Sequence, residues 1–430
     1  MFQSIELKQG INLHIRKTDQ FKTVNFSFKF KQALSEQSAS ERSVLANVLL
    51  HSNEQYPSNP AFRSYLDELY GTAMYMDSSK RGNEHFVTLL AESVNDQYLS
   101  TGGVLERVMD LLKVVLFNPN VENGVFKESI IKREKDSVIQ RIESLYDDKT
   151  RYAQHRLVEL LRPNHPASIG ANGTIELVQA ITPTSLWDAY QRMLNEDELD
   201  IYVVGDIDEA NMTNSIKEAF PLEGRTPLQK QKIEQHNMDP KNPSHVKETQ
   251  DMKQGKLHIG FETPITFTHP DFPIMQITNG IFGGYPHAKL FMNVREKESM
   301  AYYVSSSFSS SYGLIFVLAG IDASKEEKAI SLIDEQLEAL KKGEITKMEI
   351  DQTVAMLKNQ LKEALDSARG QIEIFDQYKE LDETFRVEDW FAKWSSVTKD
   401  DVQKMANTID KKMVYFLSGK EESSNEGTPL

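Results

Sequence analysis

The chain has 430 residues, 39% of them hydrophobic, with a formal charge of −15, ten histidines and no cysteine. That length predicts two or more domains, and the apolar fraction excludes wholesale disorder. The negative field argues against nucleic acid and anionic membrane surfaces as partners, and the lack of cysteine removes disulfides, thiolate nucleophiles and cysteine-ligated zinc together.

The opening "MFQSIELKQGINLHIRKTDQF" alternates polar and apolar residues and has no apolar core of signal-peptide length. No stretch approaches the roughly 20 apolar residues of a membrane span. The expected location is the cytoplasm. Strands are predicted at "INLHIRK" and at "TVNFSFKF", where Val24, Phe26, Phe28 and Phe30 alternate. A helix follows in "SERSVLANVLLHSNEQYPSN" (40–59). Its Val44, Leu45, Val48 and Leu49 form a buried face, while Ser43, Ala46 and Asn47 share another.

A second helix is predicted in "NPAFRSYLDELYG", then strands "AMYMDSSK" and "HFVTLLAES". The pattern is helical from Tyr98 to about Leu160, and 162–174 reads as a Pro/Gly/Asn loop. "ITPTSLWDAYQRML" is a helix capped by Thr182 with Pro183 just inside its start, and "LDIYVVGDID" is a buried strand. Residues 223–255 carry Pro227, Pro240 and Pro243 without apolar periodicity and read as a linker.

The order then restarts. Strand "KLHIGFETP", helices "FPIMQITNGIFGG" and "HAKLFMNVREKESM", strands "AYYVSSSF" and "GLIFVLAGI", and long helices from about Lys325 to Glu380 follow in turn. Gly283 and Gly284 are expected at a turn that needs positive φ. Segments 181–208 and 397–422 both run threonine-capped helix, polar turn, apolar strand, glycine, acidic residue. This half-length repeat predicts an α+β protein of two similar domains from an internal duplication, each a mostly antiparallel sheet packed against helices. The expected bounds are 1–222 and 256–420, with the linker at 223–255 and a disordered tail at 421–430.

Four segments carry a family resemblance. "YPSNPAFRSYLDELYG" is similar to a "YPS…YLD.LGG" stretch, "LRPNHPASIGANGTIELVQAITPTSLWDAYQRML" to "HP.G.…GT…I..LT…L..FY", and "YVVGDID" to "VVGDV". "GGYPHAKLFMNVREKESMAYYVSS" is similar to "GGG..S.LF..(V/I)REK.GLAY.V". In this order and spacing the chain, from about residue 8 to 420, resembles the insulinase/pitrilysin type of zinc metallopeptidase, particularly the short two-domain processing peptidases. The resemblance implies an HxxEH motif on the first long helix, with two zinc-binding histidines and a general-base glutamate. A third ligand, a glutamate, comes from a later helix.

Counting back from Tyr56-Pro57-Ser58, those positions fall on Ser43, Ala46 and Asn47, and the third ligand on Gln140 or Arg141 of "REKDSVIQRIESLYDD". Hydroxyl, methyl and carboxamide offer neither imidazole nor base, and a guanidinium repels a metal cation. No metal or cofactor is therefore expected on this chain. No two histidines lie three or four residues apart. His51, three residues before Glu54, reads as a helix-end surface residue. No Ser/His/Asp order, GxSxG elbow or phosphate-loop spacing stands out.

The resemblance also implies that Arg295 and Tyr302, with Tyr303 as a competing tyrosine, lie near the peptide and donate to the scissile carbonyl. From the residues alone, Arg295 would pair with Glu298 and Tyr302 would pack in a sheet. Lost zinc ligands beside a kept Arg/Tyr pair imply a non-catalytic subunit of a heterodimeric zinc processing peptidase. It would bind peptide substrate and supply Arg295 and Tyr302 in trans to a homologous HxxEH-bearing subunit that holds zinc; a homodimer is the other assembly. The alternative is a non-enzymatic scaffold or peptide-binding chamber protein with the same fold. Nucleic acid and membrane are not expected partners.

Overall fold

Period-2 apolar runs such as Val24–Phe30 form core strands, and serine or threonine caps open α-helices that start at Glu36, Ile175, Pro183 and Lys399. The computed structural model describes residues 2–229, 245–381 and 386–419. In chain order the first half contains β1 (Gln3–Lys8), β2 (Ile11–Lys17), β3 (Thr23–Ala33), α1 (Glu36–His51), α2 (Asn59–Glu68), β4 (Ala73–Arg81), β5 (Glu84–Val94) and α3 (Val104–Phe117). A ribbon of β6 (Val121–Glu122) and β7 (Val125–Phe126) follows, then α4 (Glu128–Asp147), α5 (Lys149–Leu161), α6 (Ile175–Ala180), α7 (Pro183–Asn195), β8 (Glu198–Gly205) and α8 (Glu209–Ala219). The second half contains β9 (His245–Gln250), β10 (Gly255–Glu262), α9 (Phe272–Asn279), β11 (Tyr303–Ser309), β12 (Leu314–Ile321) and α10 (Glu326–Lys341). It ends with α11 (Lys347–Leu365), α12 (Ala368–Tyr378), α13 (Val387–Ser395), α14 (Lys399–Ala406) and β13 (Asp410–Gly419).

Each half supplies one sheet. The first has the order β1-β2-β8-β3-β5-β4, the second β11-β12-β10-β13-β9. Without β1, the two orders are the same. In the first, β2 runs parallel to β8, and the β3–β8, β3–β5 and β4–β5 pairs are antiparallel. In the second, β9 runs parallel to β13, and the β10–β13, β10–β12 and β11–β12 pairs are antiparallel. This repeated topology is the structural counterpart of the half-length sequence repeat.

Two compact units result, and each borrows a segment from the other half of the sequence. The first takes the described residues within Met1–Ser144, Ile169–Ile233 and Ala364–Gln377; the second takes those within Leu145–Ser168, Glu234–Glu363 and Tyr378–Leu430. So α5 lies in the second unit, where Ala153, Leu157 and Leu161 share a core with Phe316, Met413 and Tyr415. Most of α12 lies in the first, where Ala368 and Ile372 pack with Tyr202 and Val204.

The main core of the first unit gathers Val24, Phe26, Phe28 and Phe30 of β3 with Val44, Leu45, Val48 and Leu49 of α1. The opposite face of β3 is buried too. There Lys29 donates to Asp376 (2.9 Å) and Glu373 (3.1 Å) of α12. Asp376 also accepts from Arg81 (3.0 Å) and from the Tyr202 hydroxyl (2.5 Å), so its carboxylate anchors the helix to the sheet.

Several expectations need correction. β1 was not foreseen, and β9 occupies part of the stretch read as linker. The rest of that stretch from 230 to 244, and the tail at 421–430, lie outside the described residues. The helices expected in "FPIMQITNGIFGG" and "HAKLFMNVREKESM" are present, with Gly280–Gly284 and Leu290–Lys297 wound as π-helix. Gly283 and Gly284 do not adopt positive φ. Gly283 is required for space: a Cβ there would lie 2.5 Å from Leu290 Cδ1 and 2.8 Å from the Ser306 amide nitrogen.

Candidate functional site

Helix α1 starts at a capping box between Ser35 and Ser38 and is buried from Ala39 to Leu49, so even its polar residues must find partners. Ser43 donates to Asn172 Oδ1 at 2.7 Å, and Ser78 of the edge strand β4 donates to Ser43 at 3.3 Å. From α4, Arg141 reaches Asn172 Oδ1 and Asn47 Oδ1, both at 3.4 Å. The structure thus brings Ser43, Asn47 and Arg141 together around Asn172. Ala46 is 2% exposed and belongs to the apolar core. Asn47 Nδ2 is buried with no acceptor.

The loop carrying Asn172 is pinned along its length. The Lys80 ammonium donates to the Ile169 carbonyl, His85 Nε2–H to Ala171 O (2.9 Å), and the Thr174 amide to Ser40 Oγ (3.2 Å). Gly173 has φ +70°, and a Cβ there would fall 1.8 Å from Ser40 Oγ. Arg42, fully buried, donates through Nε to His85 Nδ1 (3.0 Å) and through Nη2 to Phe30 O (2.9 Å), and pairs with Asp197. With Nδ1 accepting and Nε2 donating, the His85 ring is neutral. Burial, and then the neighbouring Arg42 charge, push its pKa down to about 4.

This donor set does not fit zinc. A hydroxyl, a carboxamide and a guanidinium stand at the positions that the family resemblance assigns to two imidazoles and a carboxylate. Among the described residues, no group of three or more histidines and acids is placed to hold a metal ion. His51 closes α1 with 31% of its side chain exposed, and its Nδ1 meets the buried Glu134 at 3.0 Å.

In the second unit Arg295 sits in the π-helical stretch Leu290–Lys297, 40% of its side chain exposed. Its guanidinium lies 4.6 Å over the Phe291 ring and 3.7 Å from Glu296. Glu298 meets Lys328 (3.6 Å), so the expected Arg295–Glu298 pair does not form. Nor does Tyr302 pack in the sheet. It is 61% exposed and donates to Asp322 Oδ1 at 3.0 Å, an acceptor that raises the phenol's pKa. Tyr303, by contrast, lies with its hydroxyl 3.4 Å from Thr150 Oγ1 and the Lys256 ammonium 5.2 Å above its ring. Ser299 takes φ +50° in the turn between Arg295 and Tyr302. Arg295 and Tyr302 have separate partners and no hydrogen bond to each other among the described residues.

Two arrangements escaped the sequence. Asn172 lies 129 residues from Ser43, and nothing in local spacing marks it. Ser4, His14 and Asp200 form a hydrogen-bonded row, with Ser4 Oγ to His14 Nδ1 at 2.8 Å and His14 Nε2 to Asp200 at 3.1 Å. Ser4 and His14 are direct cross-strand neighbours, His14 stacks on Tyr202 at 4.8 Å, and Asp200 also accepts from Asn12. The row is a satisfied polar ladder between strands.

Residues 180–357 match the family profile described as "Peptidase M16 inactive domain". YmfF of Bacillus subtilis (strain 168), described as a probable inactive metalloprotease, is 40% identical over 417 residues, covering 96% of this chain and 97% of the relative. YmxG of the same strain, described as an uncharacterized zinc protease, is 26% identical over 289 residues, 64% of this chain and 67% of the relative. The crystal structure of a conserved protein from Enterococcus faecalis V583 superposes with a TM-score of 0.91 at 34% identity, covering 98% of this chain and 99% of the other.

Proposed function

The chain belongs to the M16 peptidase family, the insulinase/pitrilysin type, and we propose that within it this protein is a non-catalytic subunit acting beside a zinc-bearing homologue. The observation that carries the reading is the contrast between the two sites. The zinc positions hold Ser43, Ala46, Asn47 and Arg141, whereas the side chains of Arg295 and Tyr302 are exposed. The two descriptions that such a pairing requires, inactive metalloprotease and zinc protease, both occur among the relatives in one Bacillus strain.

In this reading the protein binds an extended peptide, and an open sheet edge such as β4 or β11 offers the backbone groups for it. Arg295 and Tyr302 donate to the peptide carbonyl as it gains negative charge in the partner's active site. The partner carries HxxEH and the zinc; this chain contributes binding and orientation in the cytoplasm.

The test is affinity isolation of the chain from its own host, with the mass of the complex measured by native mass spectrometry. The expected result is a one-to-one complex with an HxxEH-bearing chain. In that complex Arg295→Ala should lower peptide turnover about tenfold or more while leaving the assembly intact. A homodimer or monomer with no such partner, or full turnover by Arg295→Ala, would overturn the reading in favour of a scaffold or peptide-holding chamber.

A further inference from the structure

We propose that the cluster around Asn172 is an anion site that takes a carboxylate, with Arg141 as the recognising cation. The site is complete within the first unit and needs no partner chain.

The balance of donors and acceptors points there. Arg141 presents five N–H groups in a planar fork and is always charged. Among the described residues its contacts are two amide oxygens, Asn172 Oδ1 and Asn47 Oδ1, each at the long distance of 3.4 Å. No carboxylate of the described residues pairs with it, in a chain with a surplus of fifteen negative charges. Asn47 is 6% exposed, yet its Nδ2 has no acceptor. Asn172 turns its oxygen to Ser43 and Arg141, which leaves its own amide NH₂ for a further acceptor.

The missing component is therefore a planar acceptor with negative charge. A carboxylate matches the fork of a guanidinium with two parallel hydrogen bonds. Ser78, which donates into the same cluster, stands on the edge strand β4. A peptide added at that edge could bring either its C-terminal carboxylate or an acidic side chain to Arg141.

The position that would carry a metal ligand in an active relative thus carries the opposite charge preference. The full chain can be treated with phenylglyoxal, which modifies arginine, and modification at Arg141 followed by mass spectrometry. Hippurate should slow modification of Arg141 about tenfold, equivalent to about 1.4 kcal/mol, whereas hippuramide should leave it unchanged. Asn172→Asp places a carboxylate beside Arg141, and should protect Arg141 without ligand and abolish the hippurate effect. Asn47→Asp serves the same purpose if the first variant fails to fold.

Two peptides then identify the source, one with a free C-terminal acid and one amidated with an internal glutamate. Protection by the first supports the terminal carboxylate, and protection by the second supports the side chain. Equal effects of hippurate and hippuramide, no protection by any carboxylate, or equal protection by inorganic phosphate would overturn the proposal.

Discussion

His85 holds the Asn172 loop through one neutral ring, and that ring makes the loop sensitive to acid. Its ordinary pKa is about 6.5; in the folded chain burial and Arg42 bring it to about 4. Between those values the unfolded chain binds a proton that the folded chain refuses. The stabilisation is complete above pH 6.5 and disappears as pH falls towards 4, by about 3 kcal/mol for this group alone. Urea unfolding at a series of pH values should show the slope. His85→Gln should flatten it between pH 6.5 and 4, and identical slopes for the two proteins would refute the assignment. Other groups titrate in both chains, so the difference between the slopes is the informative quantity.

At the scale of elements, α12 depends on Asp376. This carboxylate accepts from Lys29, Arg81 and the Tyr202 hydroxyl in a dry setting. Asp376→Ala removes the shared acceptor and leaves buried donors behind, so the first unit should lose about 3–5 kcal/mol. Chemical denaturation would measure the loss, and a change below about 1 kcal/mol would show that Glu373 alone suffices for Lys29. Strand β3, on which α12 packs, shows what the sequence reveals and what it conceals. The alternation of Val24, Phe26, Phe28 and Phe30 predicted a strand with one buried face, and those residues do line the core. Burial of Lys29 on the other face could not be read, because its partner lies 347 residues away. Ser43, Ala46 and Asn47 could be located because helical spacing and a neighbouring motif are local. The convergence of Ser43, Asn47 and Arg141 with Asn172 is a property of the fold. Strand β9, "HVKETQ", escaped because an edge strand exposed on alternate residues is held by backbone pairing to β13 and needs no apolar run.

At the scale of the whole molecule, the two halves of the sequence exchange helices: α5 completes the second unit and α12 the first. Co-expression of residues 2–229 and 245–430 as separate chains should therefore yield a co-purifying pair, with each piece less stable alone. Two pieces that fold independently with undiminished stability would contradict this. This sharing of helices binds the fate of the two halves together. Neither half can be inherited, lost or allowed to drift as a free module, since each encodes part of its sibling's interior. The polypeptide link between them is then a convenience of synthesis rather than the source of their cohesion, and a gene split at that point would encode an obligate pair.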